Sequence, residues 1–222
     1  MAANAYAISA SPTAKRRGRP SAVHAEAKNA VIRAAALEVF ASKGFEGASI
    51  VEIAKLAGVT RRTLYARYRD KQALLLDAVR GVIDERLQHY DLSATTSAEE
   101  ALLEIAADIT VRSPSAPLLM RIIIAEGANF SHDEVPLGRA GRDHLLEQLE
   151  AIFAELIRRN LLPPANTAAA AILFCDIVIG SGILSLLTFA PDGTVEDLLA
   201  PRVSFFCAGF AEWARRSEQA VR

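Results

Sequence analysis

The chain has 222 residues, of which 51% are hydrophobic, and a formal net charge of −1. That length gives room for one large or two small domains, and the apolar content is ample for a buried core. The two cysteines, Cys175 and Cys207, lie far apart in apolar surroundings, which excludes a disulfide framework and a cysteine metal site and fits a reducing cytosol. The N-terminus lacks a basic region followed by an apolar stretch and a cleavage site, so we expect a cytoplasmic protein without a secretory signal.

The small net charge hides two parts of opposite sign. Residues 1–80 contain 14 Lys and Arg against 6 Asp and Glu, a net charge of +8. Residues 81–222 contain 11 basic and 20 acidic residues, a net charge of −9. A basic first third joined to an acidic remainder indicates a polyanion-binding module attached to a part that must avoid the polyanion.

The first segment, residues 1–23, is rich in Ala, Ser and Pro and contains a basic cluster over residues 15–20. Such a segment cannot bury enough apolar surface to order itself, so we predict a disordered basic arm. Two roles remain open for it. It is either a solubilising tail or an arm that places Arg17 and Arg19 in a narrow DNA minor groove, where the negative potential attracts arginine.

Two short helices joined by a tight turn are predicted over residues 49–68, after a first helix over residues 25–42. The spacing of Ser49 and Glu52 predicts a capping box at the start of the first short helix. Gly58 accepts the left-handed backbone that ends this helix, and Thr60 can cap the next one. The pattern is that of a helix-turn-helix.

The second short helix is predicted to carry a basic, exposed face. Its buried side is formed by Val59, Leu64 and Tyr68. Its exposed side presents Arg61, Arg62, Thr63, Tyr65 and Arg67. A helix-turn-helix with arginines at the start of its second helix is suited to enter the major groove of DNA.

The segment from residue 28 to residue 78 resembles the DNA-binding domain of the tetracycline-repressor (TetR) family of bacterial transcription regulators. The matching landmarks are residues 35–40, 43–45, 49–50, 53–54, 57–60 and 63–65, with Lys71 and Leu74. The chain departs from the family at Tyr68, where phenylalanine is usual, and at Arg67, where histidine or tyrosine is common. The resemblance implies a DNA-binding domain over residues 26–86, with a fourth helix that begins near Asp70 and links it to the rest of the chain.

The resemblance also implies how DNA is contacted. Phosphate contacts, which fix register without reading sequence, are expected from Ser49, Tyr65, Arg67 and Lys71. Base edges are expected to face Thr60, Arg61, Arg62 and Thr63. An arginine can bond guanine O6 and N7 together, which is worth roughly 1–3 kcal/mol of discrimination. Two alternatives stay open: Tyr65 could be a core aromatic, and Thr60 could act only as a cap.

The rest of the chain is predicted to be helical, with no alternating strand pattern of useful length, so the fold class is all-α. Helices are expected over residues 98–111, 118–130, 137–159, 168–189 and 195–216. The segment 168–189 is long and apolar enough to span a bilayer. However, Asp176 lies near its middle and no basic flank orients it, so we favour a helix buried on all sides and no membrane. Pro201 predicts a kink or a restart in the last helix.

The resemblance implies that residues 93–218 form a helical effector-binding and dimerisation domain. The last two helices would pair with their copies in a homodimer, and a two-fold dimer requires a near-palindromic operator in double-stranded DNA. Apolar candidates for effector contact are Ile109, Met120, Ile123, Phe153 and Phe174. Polar candidates are Arg121, Glu126 and Asp176. The apolar candidates could equally be ordinary core residues, and Asp176 could pair with an arginine across the dimer.

The function that we predict is that of a homodimeric transcriptional repressor released from DNA by a small apolar effector of unknown identity. A transcriptional activator or a ligand-insensitive DNA-binding protein would use the same fold. A helical enzyme is the rival class, but no paired carboxylates, phosphate loop or Ser/His/Asp set stands out. The four histidines share no metal-like spacing. We therefore expect no catalytic residues, no metal and no cofactor.

Overall fold

The computed structural model describes residues 22–87, 90–110, 112, 122, 137–181 and 194–220. Within these ranges the regular structure is helical and contains no strand, as the sequence predicted. In chain order the helices are α1 (Ala22–Gly47), α2 (Ile50–Leu56), α3 (Arg61–Tyr65), α4 (Lys71–Leu87), α5 (Ala98–Thr110), α6 (Leu137–Arg158), α7 (Thr167–Phe174) and α8 (Val195–Ala220). A 3-10 turn (Leu92–Ala94) precedes α5, and a π-helical segment (Cys175–Gly180) continues α7.

The first four helices share one core, because each places apolar residues on its inner side. Ile32, Phe40, Ile53, Leu64 and Leu74 are all essentially inaccessible to solvent. The backbone of α1 is interrupted at Gly44, whose φ of 72° lies in the left-handed region that glycine tolerates. The predicted end of the first helix near residue 42 therefore matches the last residues before this break.

The turns of the helix-turn-helix follow the sequence prediction with one exception. Gly58 has a φ of 63° and ends α2, and the Thr60 hydroxyl accepts the Thr63 N–H at 3.1 Å to cap α3. The Ser49 hydroxyl caps α2 by accepting the Val51 N–H at 3.2 Å. The other half of the predicted capping box, a hydrogen bond from the Ser49 backbone N–H to the Glu52 side chain, is wrong. Glu52 instead accepts two hydrogen bonds from Lys43 of α1, at 2.7 and 2.8 Å. A charged partner offers Glu52 a stronger hydrogen bond than a neutral N–H would.

The hydrophobic core continues among the helices after α4, where it contains an aromatic cluster. Four phenylalanines from α6, α7 and α8 pack with ring centroids 5.2–6.1 Å apart: Phe153, Phe174, Phe206 and Phe210. The predicted stop after α6 is confirmed, since Asn160 adopts a φ of 59° and the Leu161 N–H bonds the Leu156 carbonyl at 3.0 Å. Such a left-handed residue is a common end of a helix.

Two predictions concern the last helices. In the single chain, the segment expected to be buried on all sides exposes one flank within residues 167–181, where Ile172 is 41% and Leu173 36% accessible, so its complete burial stays a prediction. The restart predicted as one alternative at Pro201 is wrong, because helix α8 is continuous through that residue. Pro201 removes a single backbone donor, and the start of α8 is fixed by reciprocal hydrogen bonds between Thr194 and Asp197. This capping pattern is visible in the sequence.

Some predictions concern residues that the structure does not describe. They are the basic arm with Arg17 and Arg19, the helix over 118–130 apart from the buried residue Ile122, and residues 182–189. Among the described helices, none combines the length and apolar character needed to cross a bilayer.

Candidate nucleic-acid interface

Helix α3 presents a short charged surface that rests on a buried anchor. Leu64 is 1% accessible and fixes the helix against the core, while Arg61 and Arg62 project from its first turn and are exposed. Neither guanidinium has a hydrogen bond or an ion pair with another residue that the structure describes. Two unpaired cations at the start of a helix favour a ligand with negative charge.

The two threonines of the predicted base-reading set are bonded to each other. The Thr60 and Thr63 hydroxyl oxygens lie 2.9 Å apart, and Thr60 also accepts the Thr63 backbone N–H. Thr60 is exposed and Thr63 half-buried. The capping role of Thr60 is thereby confirmed, whereas base contacts by either threonine stay a prediction.

The two tyrosines near α3 occupy opposite environments. Tyr65 is 55% accessible, so it is not a core aromatic. Tyr68 is 6% accessible, as predicted, and its hydroxyl donates a hydrogen bond to the Asp77 carboxylate of α4 at 2.7 Å. Burial, together with this carboxylate, raises the pKa of Tyr68 to about 12. The structure therefore leaves Tyr65 available for an external partner and assigns Tyr68 to the joint between α3 and α4.

Lys71 has a structural role that the sequence did not reveal. Its ammonium donates to the backbone carbonyls of Glu46 and Ala48, at 3.1 and 3.3 Å, and lies 4.6 Å from the centre of the Phe45 ring. Glu46 lies in the last turn of α1, and Ala48 lies in the connection between α1 and α2. Lys71 thus joins the start of α4 to the chain just before Ser49, the other predicted phosphate contact of this region.

Arg67 is exposed, as predicted, but its guanidinium is engaged within the chain. It donates a hydrogen bond to the Asn29 side-chain oxygen of α1 and lies 5.5 Å from the centre of the Tyr68 ring. The phosphate contact expected of Arg67 stays a prediction. Nothing in the spacing of Arg67 and Asn29 along the chain indicated this bond, since 38 positions separate them.

The predicted effector residues do not form one cluster within the described part of the chain. Phe153 and Phe174 are in contact, with centroids 5.8 Å apart, and are fully buried. Ile109 is half-buried. Asp176 lies on the surface and accepts a hydrogen bond from Arg142 of the same chain at 2.9 Å. Met120, Arg121, Ile123 and Glu126 lie outside the described residues.

Comparison with known proteins relates the chain to transcriptional regulators. A family model for bacterial regulatory proteins of the tetR family matches residues 32–78. The transcriptional regulator AcrR of Shigella flexneri is 30% identical over 166 residues, which cover 70% of this chain and 76% of AcrR. The regulator RutR of Escherichia coli K12 is 26% identical over 144 residues, 63% of this chain and 66% of RutR. The match therefore spans slightly less than two thirds of the length of RutR.

A solved structure extends the likeness to most of the chain. The chain from Mesorhizobium loti MAFF303099 described as a TetR-family transcriptional regulator is 25% identical, with a TM-score of 0.58. The aligned part covers 83% of this chain and 96% of that one. A helical fold with a capped helix-turn-helix and an exposed, basic second helix defines a DNA-binding transcriptional regulator. The chain belongs to the TetR family of these regulators.

Proposed function

We propose that the chain is a homodimeric repressor, which a small apolar effector releases from a near-palindromic operator. The DNA-binding domain would span residues 26–86, and the effector-binding and dimerisation domain residues 93–218. Helix α3 has five residues and reaches only a few base pairs, so a specific site requires a second copy. A two-fold dimer presents two identical helices, which calls for an inverted repeat in the DNA.

The DNA-binding part of the proposal rests on the surroundings of Arg61 and Arg62. Both are exposed, and neither is paired within the described residues, on a helix whose start is fixed by Thr60. We assign both arginines, with Thr60 and Thr63, to the base edges. We assign Ser49, Tyr65, Arg67 and Lys71 to phosphates, where hydroxyls and cations bind without reading sequence. The basic arm, with Arg17 and Arg19, would add minor-groove contacts.

Exposed apolar side chains on the last two helices support the dimer. Phe205 of α8 is 69% accessible in the single chain, and Ile172 and Leu173 of α7 are also exposed. Large apolar side chains gain about 1.5–3 kcal/mol each when they leave water. A second copy that packs on α7 and α8 would provide this burial.

The effector is proposed to be apolar because apolar residues form the interior of the second domain. Phe153 and Phe174 are fully buried, so a ligand reaches them only when the aromatic cluster rearranges. The other proposed contacts are Ile109, Met120, Arg121, Ile123, Glu126 and Asp176. A ligand that binds only the rearranged form, with its DNA-binding domains misplaced, would lower the operator affinity.

A selection from random double-stranded DNA with the full-length protein tests the proposal. We expect an enriched inverted repeat, a complex with two protein chains per site, and an affinity that falls steeply with salt. A library of apolar small molecules is then screened for release of that DNA. Failure to enrich any sequence would refute specific DNA binding. A reporter downstream of the selected site separates a repressor from an activator, and a site that no compound releases would indicate a ligand-insensitive protein.

A further inference from the structure

A continuous series of polar contacts runs from Arg67, in the turn after the recognition helix α3, across α1 to α4. Arg67 donates to the Asn29 side-chain oxygen, and the Asn29 amide nitrogen donates to Glu26 at 3.1 Å. The Arg33 guanidinium donates to the other oxygen of Glu26 at 2.7 Å and to Glu85 of α4 at 3.5 Å. The contacts link the turn after α3 with α1 and α4, which are separate in sequence.

Asn29 is the buried member of this series, with 8% of its surface accessible. Both ends of its amide are used, the oxygen by a cation and the nitrogen by a carboxylate, so its orientation is fixed. A buried amide that loses a partner is costly, which makes alternative arrangements of this region unfavourable. The hydrogen bond from Arg33 also holds the pKa of Glu26 below its usual range, so Glu26 stays charged at neutral pH.

Arg33 lies directly against the backbone of α4 at Gly81. A Cβ atom at Gly81 would lie 2.3 Å from both Cδ and Nε of Arg33, much closer than real atoms approach. Glycine at this position allows the arginine side chain, 12% accessible, to pass across α4 along its present path, and a larger residue would displace it. Glycine inside a helix costs roughly 0.5–1 kcal/mol relative to alanine, so the close approach gives a physical reason for its presence.

The same part of α4 is also held by α6. Asp84 lies 2.7 Å from the Nε2 atom of His144 in α6, while its neighbour Glu85 faces Arg33 of α1. A Cβ atom at Gly141 of α6 would lie 3.0 Å from a methyl group of Val79. Helix α4 is thus fixed between α1 and α6, and it provides a rigid support against which α3 is oriented.

We propose that Arg33 is a positioning residue for DNA binding. Placed against Gly81 and joined to Arg67 through Glu26 and Asn29, it sets the orientation of α3 relative to α4 without contacting DNA. The inference rests on the proposed DNA-binding role of α3. Base readout depends on this orientation more than phosphate contact does, because bidentate bonds to base edges tolerate little displacement.

The experiment compares full-length variants on two DNAs at one salt concentration: the inverted repeat that the wild type selects, and a scrambled duplex. Arg33→Ala, Gly81→Ala and Asn29→Asp are each expected to lower the ratio of the two affinities by about tenfold, the discrimination of one good arginine–guanine pair. In Asn29→Asp the oxygen that accepts from Arg67 remains, but the donor to Glu26 is lost. All measurements are made well below the unfolding temperature of each variant, so loss of fold does not enter.

Two comparisons separate positioning from general effects. Arg33, Gly81 and Arg80 all border a groove of about 600 Å³ between α1 and α4. Arg80 is exposed, so Arg80→Ala removes an equal charge and should leave the ratio unchanged. Gly81→Ala should cause no further loss in the Arg33→Ala background, where no side chain is left to displace. There it should instead raise the unfolding midpoint, since alanine is the better helix former.

The outcomes distinguish the two proposals. If the wild type selects no DNA, the proposed function fails. If the wild type binds its site but the three variants keep the wild-type ratio, or Arg80→Ala loses as much as Arg33→Ala, the positioning role is overturned. A fall in stability with an unchanged ratio would assign Arg33 a purely structural role and would also overturn it.

Discussion

Two exposed surfaces of the chain differ in chemistry. Helix α3 exposes Arg61, Arg62 and Tyr65, whereas the last two helices expose Leu173 and Phe205. Charged side chains are stable in water and need no cover, but exposed apolar area costs about 25 cal/mol per Å². The first surface therefore requires an anionic partner only for function, and the second gains free energy from any apolar partner of matching shape. This contrast underlies our assignment of one surface to DNA and the other to a second copy of the chain.

The largest effect is expected from a charge at the apolar surface. Phe205→Glu should weaken the dimer by about 4 kcal/mol, roughly a thousandfold, because the lost burial counts once in each copy. Operator affinity should fall with it, since one short recognition helix is insufficient alone. Sedimentation equilibrium measures the first effect and DNA titration the second.

Val31→Glu is the matched control for that variant. Val31 is also a large apolar residue, 51% accessible, but it lies on α1. It should leave the association state unchanged. A Phe205→Glu protein that remains a dimer would contradict the assignment of the surface on α8.

The next effect concerns the division of labour on the charged surface. Replacing Arg61 and Arg62 by alanine should relax the sequence preference, by about 10- to 100-fold for each base pair that an arginine reads. Lys71→Ala should weaken all sequences alike and reduce the salt dependence by about one unit of slope. It should also lower the unfolding midpoint, because Lys71 bonds the Glu46 and Ala48 carbonyls. Titrations of each variant with matched and mismatched duplexes over a salt series measure the sequence preference and the salt dependence.

An equal loss of sequence preference in the two variants would refute this division. Lys71→Arg serves as the control, since it keeps the positive charge at the start of α4. It should retain most of the phosphate-dependent affinity, whatever it does to the contact with the Phe45 ring.

The smallest effect is expected from the cap of the recognition helix. Thr60→Ala removes the acceptor of the Thr63 N–H and should lower the free energy of unfolding by about 1 kcal/mol. Thr60→Ser keeps the hydroxyl and should restore most of it. Denaturant titration provides the measurement. A Thr60→Ala protein as stable as the wild type would show that the cap contributes nothing.

The helix-turn-helix was predictable from the sequence because its signals are local. Gly58 ends α2 and Thr60 caps α3, as the pattern indicated, and Leu64 and Tyr68 lie on the buried side. Helix periodicity and capping depend on residues within one or two turns, so most of these signals can be recognised without knowing the tertiary structure. The site residues were harder to predict, because exposure alone does not decide what a side chain binds.

Only the tertiary structure decided which groups the charged side chains bond to. Glu52 bonds Lys43 instead of its own helix start, and Asp176 bonds Arg142 within the chain. Lys71 bonds carbonyls at the end of α1 and in the α1–α2 connection, which its position at the start of α4 did not indicate.

The sequence alone thus determined the all-α class, the order of the first helices and the exposed arginines of α3. The tertiary structure decided which charged groups meet and where backbones approach closely, as at Arg33 and Gly81. The physical reason is the separation along the chain over which each kind of signal acts. Helix signals act over a few residues, whereas a charge pair or a close approach joins positions that only the packing of whole helices brings together.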